Sequence, residues 1–133
     1  MEQQQPTQQK KVLIVEDEES MLDALADKFA REGFAKPLTA RNGEDGLVIA
    51  LKEHPDLLLV DILMPKMDGL TMLKKLREDE WGKTVKAIIL TNLDTTDEML
   101  GFVTLTEPSY YLLKSNWRID DVIQKSKEVL GLD

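Results

Sequence analysis

The chain has 133 residues, no cysteine, and 25 Asp and Glu against 17 Lys and Arg, for a formal net charge of −8. That length suits one domain with its own apolar core, and the lack of thiols excludes disulfides and thiolate metal sites. The negative charge argues against a general nucleic-acid binder, and no apolar run approaches the ~20 residues of a membrane span, so a soluble cytoplasmic protein is expected.

Residues 1–9, MEQQQPTQQ, lack the basic and apolar stretches of a secretion signal and read as a disordered polar tail, leaving 10–133 as the domain. Val12 to Val15 form a continuous apolar run, the pattern of a strand buried on both faces in a parallel sheet. Four acids follow. Glu18 and Glu19 suit the first turn of a helix, but capping gives no reason for Glu16-Asp17 at the strand end itself. Leu22, Leu25, Ala26 and Phe29 recur at helical spacing, and Gly33 ends that helix. Phe34 to Ala40 reads as a weaker strand whose Pro37 lacks an N–H and belongs at a sheet edge. Asn42-Gly43 reads as a turn, and Gly46, Leu47, Ala50 and Leu51 carry a second helix toward His54-Pro55. His54, the only histidine, reads as a helix-end or surface residue rather than a ligand.

Leu57 to Val60 is the next buried run, with Asp61 at its carboxyl end. Asp is a common turn residue, so Asp61 alone supports a turn and a reacting group equally. After the loop Ile62–Met67, Asp68-Gly69 starts a third helix with Leu70, Leu73 and Leu76 inward; Glu80–Lys83 is a loop. Ala87 to Leu90 is the fourth run, ending in Thr91-Asn92. Asp94, Thr95 and Thr96 are candidate caps for a fourth helix, which Gly101 weakens and Glu107-Pro108 stops. Tyr110 to Leu113 is the last strand, ending in Lys114. Ile119, Val122, Ile123, Val129 and Leu130 form the apolar stripe of a final helix. Strand and helix therefore alternate five times, which implies an α/β domain of parallel strands joined by helical crossovers.

The carboxyl ends of parallel strands share one edge of the sheet, where reacting groups collect. Glu16-Asp17, Asp61, Thr91 and Lys114 all stand at such ends. Carboxylates within ~4 Å repel by about 4 kcal/mol per pair at an effective dielectric near 20, so the group calls for a cation. An all-oxygen acidic set suits Mg²⁺, and Met64 and Met67 read as loop packing. With Lys114 and a hydroxyl, such a site cradles a phosphoryl group and leaves Asp61 as the nucleophile that forms an aspartyl phosphate. The competing reading, a structural Asp61–Lys114 ion pair, leaves Glu16, Asp17 and Thr91 without a role.

Together the stretches VLIVEDEE, VDILMPKMDG, ILTN and YYLLK resemble the receiver domain of bacterial two-component response regulators, over residues 10–131. The resemblance implies a doubly wound, flavodoxin-like five-stranded parallel sheet of strand order 2-1-3-4-5 with helices on both faces. It implies Asp61 as phosphoacceptor from a sensor histidine kinase and Asp17 as a direct Mg²⁺ ligand. Glu16 would act mainly through water, and the Leu63 carbonyl would complete the protein ligands. Thr91 would be the switch hydroxyl, Lys114 would contact the phosphoryl group, and Tyr111 falls at the aromatic switch position, with a half-buried, non-switching tyrosine as the alternative.

The chain also departs from the family. Ser115 follows Lys114 where a proline with a cis bond is usual, so that bond is either trans or strained. Glu107-Pro108 replaces a small pair, and Trp117 either caps the core or sits on a partner surface. Leu63 and Leu93 cannot orient water by hydrogen bonding, which predicts a long-lived phosphoryl state.

The expectation is a stand-alone signalling module that catalyses only its own phosphoryl transfer and slow autodephosphorylation. It would act on a downstream protein, with no direct nucleic-acid or membrane contact, and phosphorylation-dependent homodimerisation is compatible with this. The alternatives are a phosphorelay intermediate and a degenerate receiver serving as a phosphorylation-independent scaffold. A haloacid-dehalogenase-type phosphatase needs a second Asp where Leu63 stands, and a flavin carrier would not place the acidic EDEES at its phosphate loop.

Overall fold

A computed structural model describes residues 10–91, 110–113 and 118–132. In chain order the elements are β1 (Val12–Val15), α1 (Glu19–Arg31), β2 (Leu38–Ala40), α2 (Gly43–Glu53), β3 (Leu57–Asp61), α3 (Gly69–Arg77), β4 (Lys86–Thr91), β5 (Tyr110–Leu113) and α4 (Ile119–Val129). The strands form one sheet in the order β2-β1-β3-β4-β5, with every neighbouring pair parallel. This is the doubly wound, flavodoxin-like arrangement.

Strand periodicity divides the core into two layers. Leu13, Val15, Leu58, Val60, Ala87 and Ile89 pack with Ala50 of α2 and with Leu70, Met72, Leu73 and Leu76 of α3. The alternate residues Val12, Ile14, Leu57, Leu59, Ile88 and Leu90 pack with Leu22, Leu25 and Phe29 of α1 and with Val122 and Ile123 of α4. Both faces of the central strands are covered, which is why these strands read as unbroken apolar runs.

The helices begin where short polar side chains can accept orphan N–H groups. Asn42 Oδ1 accepts from Asp45 N–H at 2.8 Å, so Asn42-Gly43 is the start of α2 rather than the turn expected. Asp68 takes the Thr71 N–H on one oxygen and the Thr71 hydroxyl on the other, both at 2.8 Å. α1 and α4 are tied by charge at their surfaces: Lys28 Nζ lies 3.3 Å from Asp120 and 3.5 Å from Glu32, and Lys127 Nζ lies 3.1 Å from the same Glu32.

The expected strand over Phe34–Ala40 shortens to Leu38–Ala40. Phe34 turns into the core instead, where its ring meets Phe29 edge to face at 4.9 Å and 80°. The short strand lies at the sheet edge, as expected, and Pro37 falls just before it rather than within it. α1 ends at Arg31, and Gly33 two residues on takes φ 91°. At the opposite edge from the strand ends, His54 caps α2 with φ 49°, and its ring stacks on Trp81 at 4.3 Å with planes 6° apart. There Lys11 Nζ donates to Glu53 O at 2.8 Å, a cation at a helix carboxyl end.

The expected tail 1–9, the expected fourth helix, Glu107-Pro108, Leu93, the Lys114-Ser115 bond and Trp117 lie outside the described residues. Among the described residues no helix is long and apolar enough to cross a membrane.

Candidate functional site

Sheet register builds the site. Val15 is paired with Val60 and Asp61 with Leu90, so Glu16, the next residue after Val15, is level with Asp61. Alternation places Glu16 on the side of Ile14, and Asp61 on the side of Leu57 and Leu59, which is one and the same face. Adjacent strands lie about 4.8 Å apart, so the two carboxylates are lateral neighbours. Asp17 follows beyond the strand. One ligand oxygen from each of Glu16, Asp17 and Asp61 lies within 4.8 Å of the others.

Two of the three acids are fixed and buried. Glu16 is 2% exposed and Asp61 is 6% exposed, whereas Asp17 faces solvent. The Glu16 N–H donates to Ala40 O at 3.0 Å, and its carboxylate accepts the Glu18 N–H at 3.1 Å. Behind Asp61, the Gly69 N–H donates to Ile62 O at 2.9 Å. A Cβ on Gly69 would stand 2.0 Å from Asp61 O, so only glycine lets α3 start this close to the strand end. In the loop between, Leu63 is 54% exposed and Lys66 takes φ 67°, while Met64 and Met67 pack on the core, as their reading as loop packing expects.

At 4.8 Å and an effective dielectric of 20, two unit negative charges repel by about 3 kcal/mol. The donor set is all carboxylate oxygen, which fits a hard dication. Two oxygens on one Mg²⁺ stand at most about 4.2 Å apart, so a spread of up to 4.8 Å leaves room for one acid to reach the ion through water.

The other sequence-derived candidates are placed by backbone alone. Thr91 closes β4 opposite Leu113, one level beyond Asp61, and Tyr111 lies in β5 opposite Ile89. The Thr91 and Tyr111 side chains and all of Lys114 lie outside the described residues. Two further residues reach this edge with no sequence signal beyond being glycines one turn apart. The Gly43 N–H donates to Met67 O at 2.9 Å, and Gly46 lies against Val15.

Comparison with known proteins follows the same lines. The family model of the response regulator receiver domain matches residues 12–126. The alkaline phosphatase synthesis transcriptional regulatory protein PhoP of Bacillus subtilis is 41% identical over 93 residues, covering 69% of this chain and 38% of its own length. The response regulator PleD of Caulobacter vibrioides is 33% identical over 84 residues, covering 63% of this chain and 18% of its own. The chain thus spans less than two-fifths of the length of these relatives. Among solved structures, a CheY-like response regulator receiver domain protein from Methanospirillum hungatei superposes with TM-score 0.83 at 28% identity, over 92% of this chain and 94% of that one. A chain of the CheX-CheY-BeF3-Mg complex from Borrelia burgdorferi superposes with TM-score 0.78 at 27% identity, over 90% and 88%.

Proposed function

The chain belongs to the response regulator receiver domain family, and from that premise we propose that Asp61 accepts a phosphoryl group from a sensor histidine kinase and so switches a protein-binding face. The observation that carries this reading is the meeting of Glu16, Asp17 and a buried Asp61 at the carboxyl edge of the sheet. Asp17, Asp61 and the Leu63 carbonyl would hold Mg²⁺, with Glu16 reaching it through water. When bound, the ion would neutralise the carboxylates and the phosphoryl oxygens.

The Asp61 carboxylate then attacks phosphorus: a P–O bond to Asp61 forms as the P–N bond to the kinase histidine breaks, and the imidazole leaves. Lys114 supplies the second positive charge on the transferred group. Thr91 turns its hydroxyl to the new phosphoryl oxygens and Tyr111 moves inward, which biases a two-state equilibrium toward the face that binds a downstream protein. The protein catalyses only its own phosphorylation and its own slow loss of the group. Exposed Leu63 beside Asp61 offers an attacking water no hydrogen bond, which favours a long-lived phosphoryl state. A cytoplasmic location follows from such a donor.

The test is incubation with acetyl phosphate, with and without Mg²⁺, followed by intact mass. The expected result is one phosphoryl adduct that requires Mg²⁺, decays slowly after the donor is removed, and is absent in Asp61→Asn. Failure to form any adduct under these conditions would favour a phosphorylation-independent scaffold.

A further inference from the structure

We infer that the first turn of α2 is a strut that sets the spacing of the acidic edge, with Gly43 and Gly46 as its positioning residues. This rests on the reading of Glu16, Asp17 and Asp61 as a Mg²⁺ site.

One turn of helix touches both segments that carry the acids. The Gly43 N–H donates to Met67 O at 2.9 Å. A Cβ on Gly43 would stand 2.2 Å from Met67 O, 2.9 Å from Met67 C and 3.0 Å from Asp68 O, all of them main-chain atoms with no side-chain freedom to yield. Met67 and Asp68 end the loop that begins just after Asp61 and carries Leu63. One turn later, a Cβ on Gly46 would stand 2.9 Å from Val15 Cγ2 and 3.1 Å from Met72 Sδ. Val15 is the residue before Glu16, and Met72 lies in α3, the helix that the loop leads into.

The helix therefore presses on the strand end that bears Glu16-Asp17 and on the loop that follows Asp61, with hydrogen where any other residue has a methyl or more. Its first turn is held in shape by buried Asn42, whose side chain accepts from Asp45 N–H at 2.8 Å and donates to Asp45 Oδ2 at 3.1 Å. Mg²⁺ requires near-ideal octahedral geometry, so a shift of either segment by a few tenths of an ångström is felt in its affinity. Supporting residues behind a metal site characteristically change affinity 10- to 100-fold when altered.

Gly82 provides the control. A Cβ there would stand 2.0 Å from Leu76 O, a clash as severe as that at Gly43, but at the far edge of the sheet beside Trp81. The experiment titrates the full chain with Mg²⁺ alone, by calorimetry and by the amide shifts of Asp17 and Asp61. It compares wild type, Gly43→Ala, Gly46→Ala and Gly82→Ala, with thermal denaturation in EDTA for each.

Gly43→Ala is expected to weaken Mg²⁺ binding by about 10-fold or more. Gly46→Ala, whose added methyl meets the Val15 methyls and the Met72 sulfur at 2.9–3.1 Å rather than main chain at 2.2 Å, is expected to weaken it less. Gly82→Ala should lose stability while keeping wild-type affinity. If Gly43→Ala does not fold, Gly46→Ala decides: wild-type affinity in it overturns the inference. Wild-type affinity in a folded Gly43→Ala, or equal weakening in Gly82→Ala, overturns it too. A wild-type chain that binds no Mg²⁺ fails at the earlier step and removes the metal reading itself.

Discussion

Asp17 is the exposed member of three carboxylates that share one small volume. Water screens its repulsion with buried Glu16 and Asp61 further, so its contribution falls well below the ~3 kcal/mol of a pair at an effective dielectric of 20, to about 1 kcal/mol. Asp17→Asn should therefore raise unfolding stability in EDTA by about that amount in urea titrations, and should abolish the further stabilisation that Mg²⁺ gives the wild type. An unchanged or lower stability in EDTA would mean that the acids do not strain the fold. At this scale the sequence was informative because position in a parallel strand fixes both level and face. With Val12–Val15 and Leu57–Val60 paired in parallel and in register, Glu16 and Asp61 are neighbours. What the sequence hid are contacts made across the fold. Nothing near His54 announces Trp81, and nothing near Gly43 announces Met67.

Among the elements, α1 and α4 are held together partly by a chain of ion pairs. The Lys127 ammonium holds the Glu32 carboxyl below its ordinary value of 4.5, with Lys28 adding to the effect. The hydrogen bond and charge of Asp120 raise Lys28 above 10.5. A carboxyl whose folded value is lowered stabilises the fold at neutral pH, and that contribution is lost as pH falls through the lowered value. A raised lysine contributes below its ordinary value, and its contribution is lost as pH rises through the raised one. Glu32→Gln is therefore expected to cost less than about 1 kcal/mol at pH 7, more at low salt than at high, with the difference from wild type vanishing in acid. Urea unfolding followed from pH 7 down into acid reads this directly, and a difference that does not shrink as the pH falls would assign the effect to packing. Element boundaries were less legible than element types. The β-like run from Phe34 yields to burial of its ring against Phe29, and Asn42-Gly43 reads as a turn until Asp45 is seen to use Asn42 as a cap.

For the molecule as a whole, the sheet with its two helical layers is the unit of stability. Phe29 is fully buried in the layer shared by α1, the sheet and α4. Phe29→Ala should cost about 3–5 kcal/mol, seen as a lower urea midpoint with an unchanged slope. A changed slope would mean that unfolding is no longer all-or-none or that the surface it exposes has changed.

The strand order also bears on how the chain is built. β2, β1 and β3 all come from the first 61 residues, so three adjacent strands can pair before β4 leaves the ribosome, at about 5–20 residues per second. Until then the free side of β3 is the row Leu57-Leu58-Leu59-Val60, an open apolar template for any other nascent chain. A message broken or stalled between the codons for Asp61 and Lys86 would thus release a sticky fragment rather than an inert one.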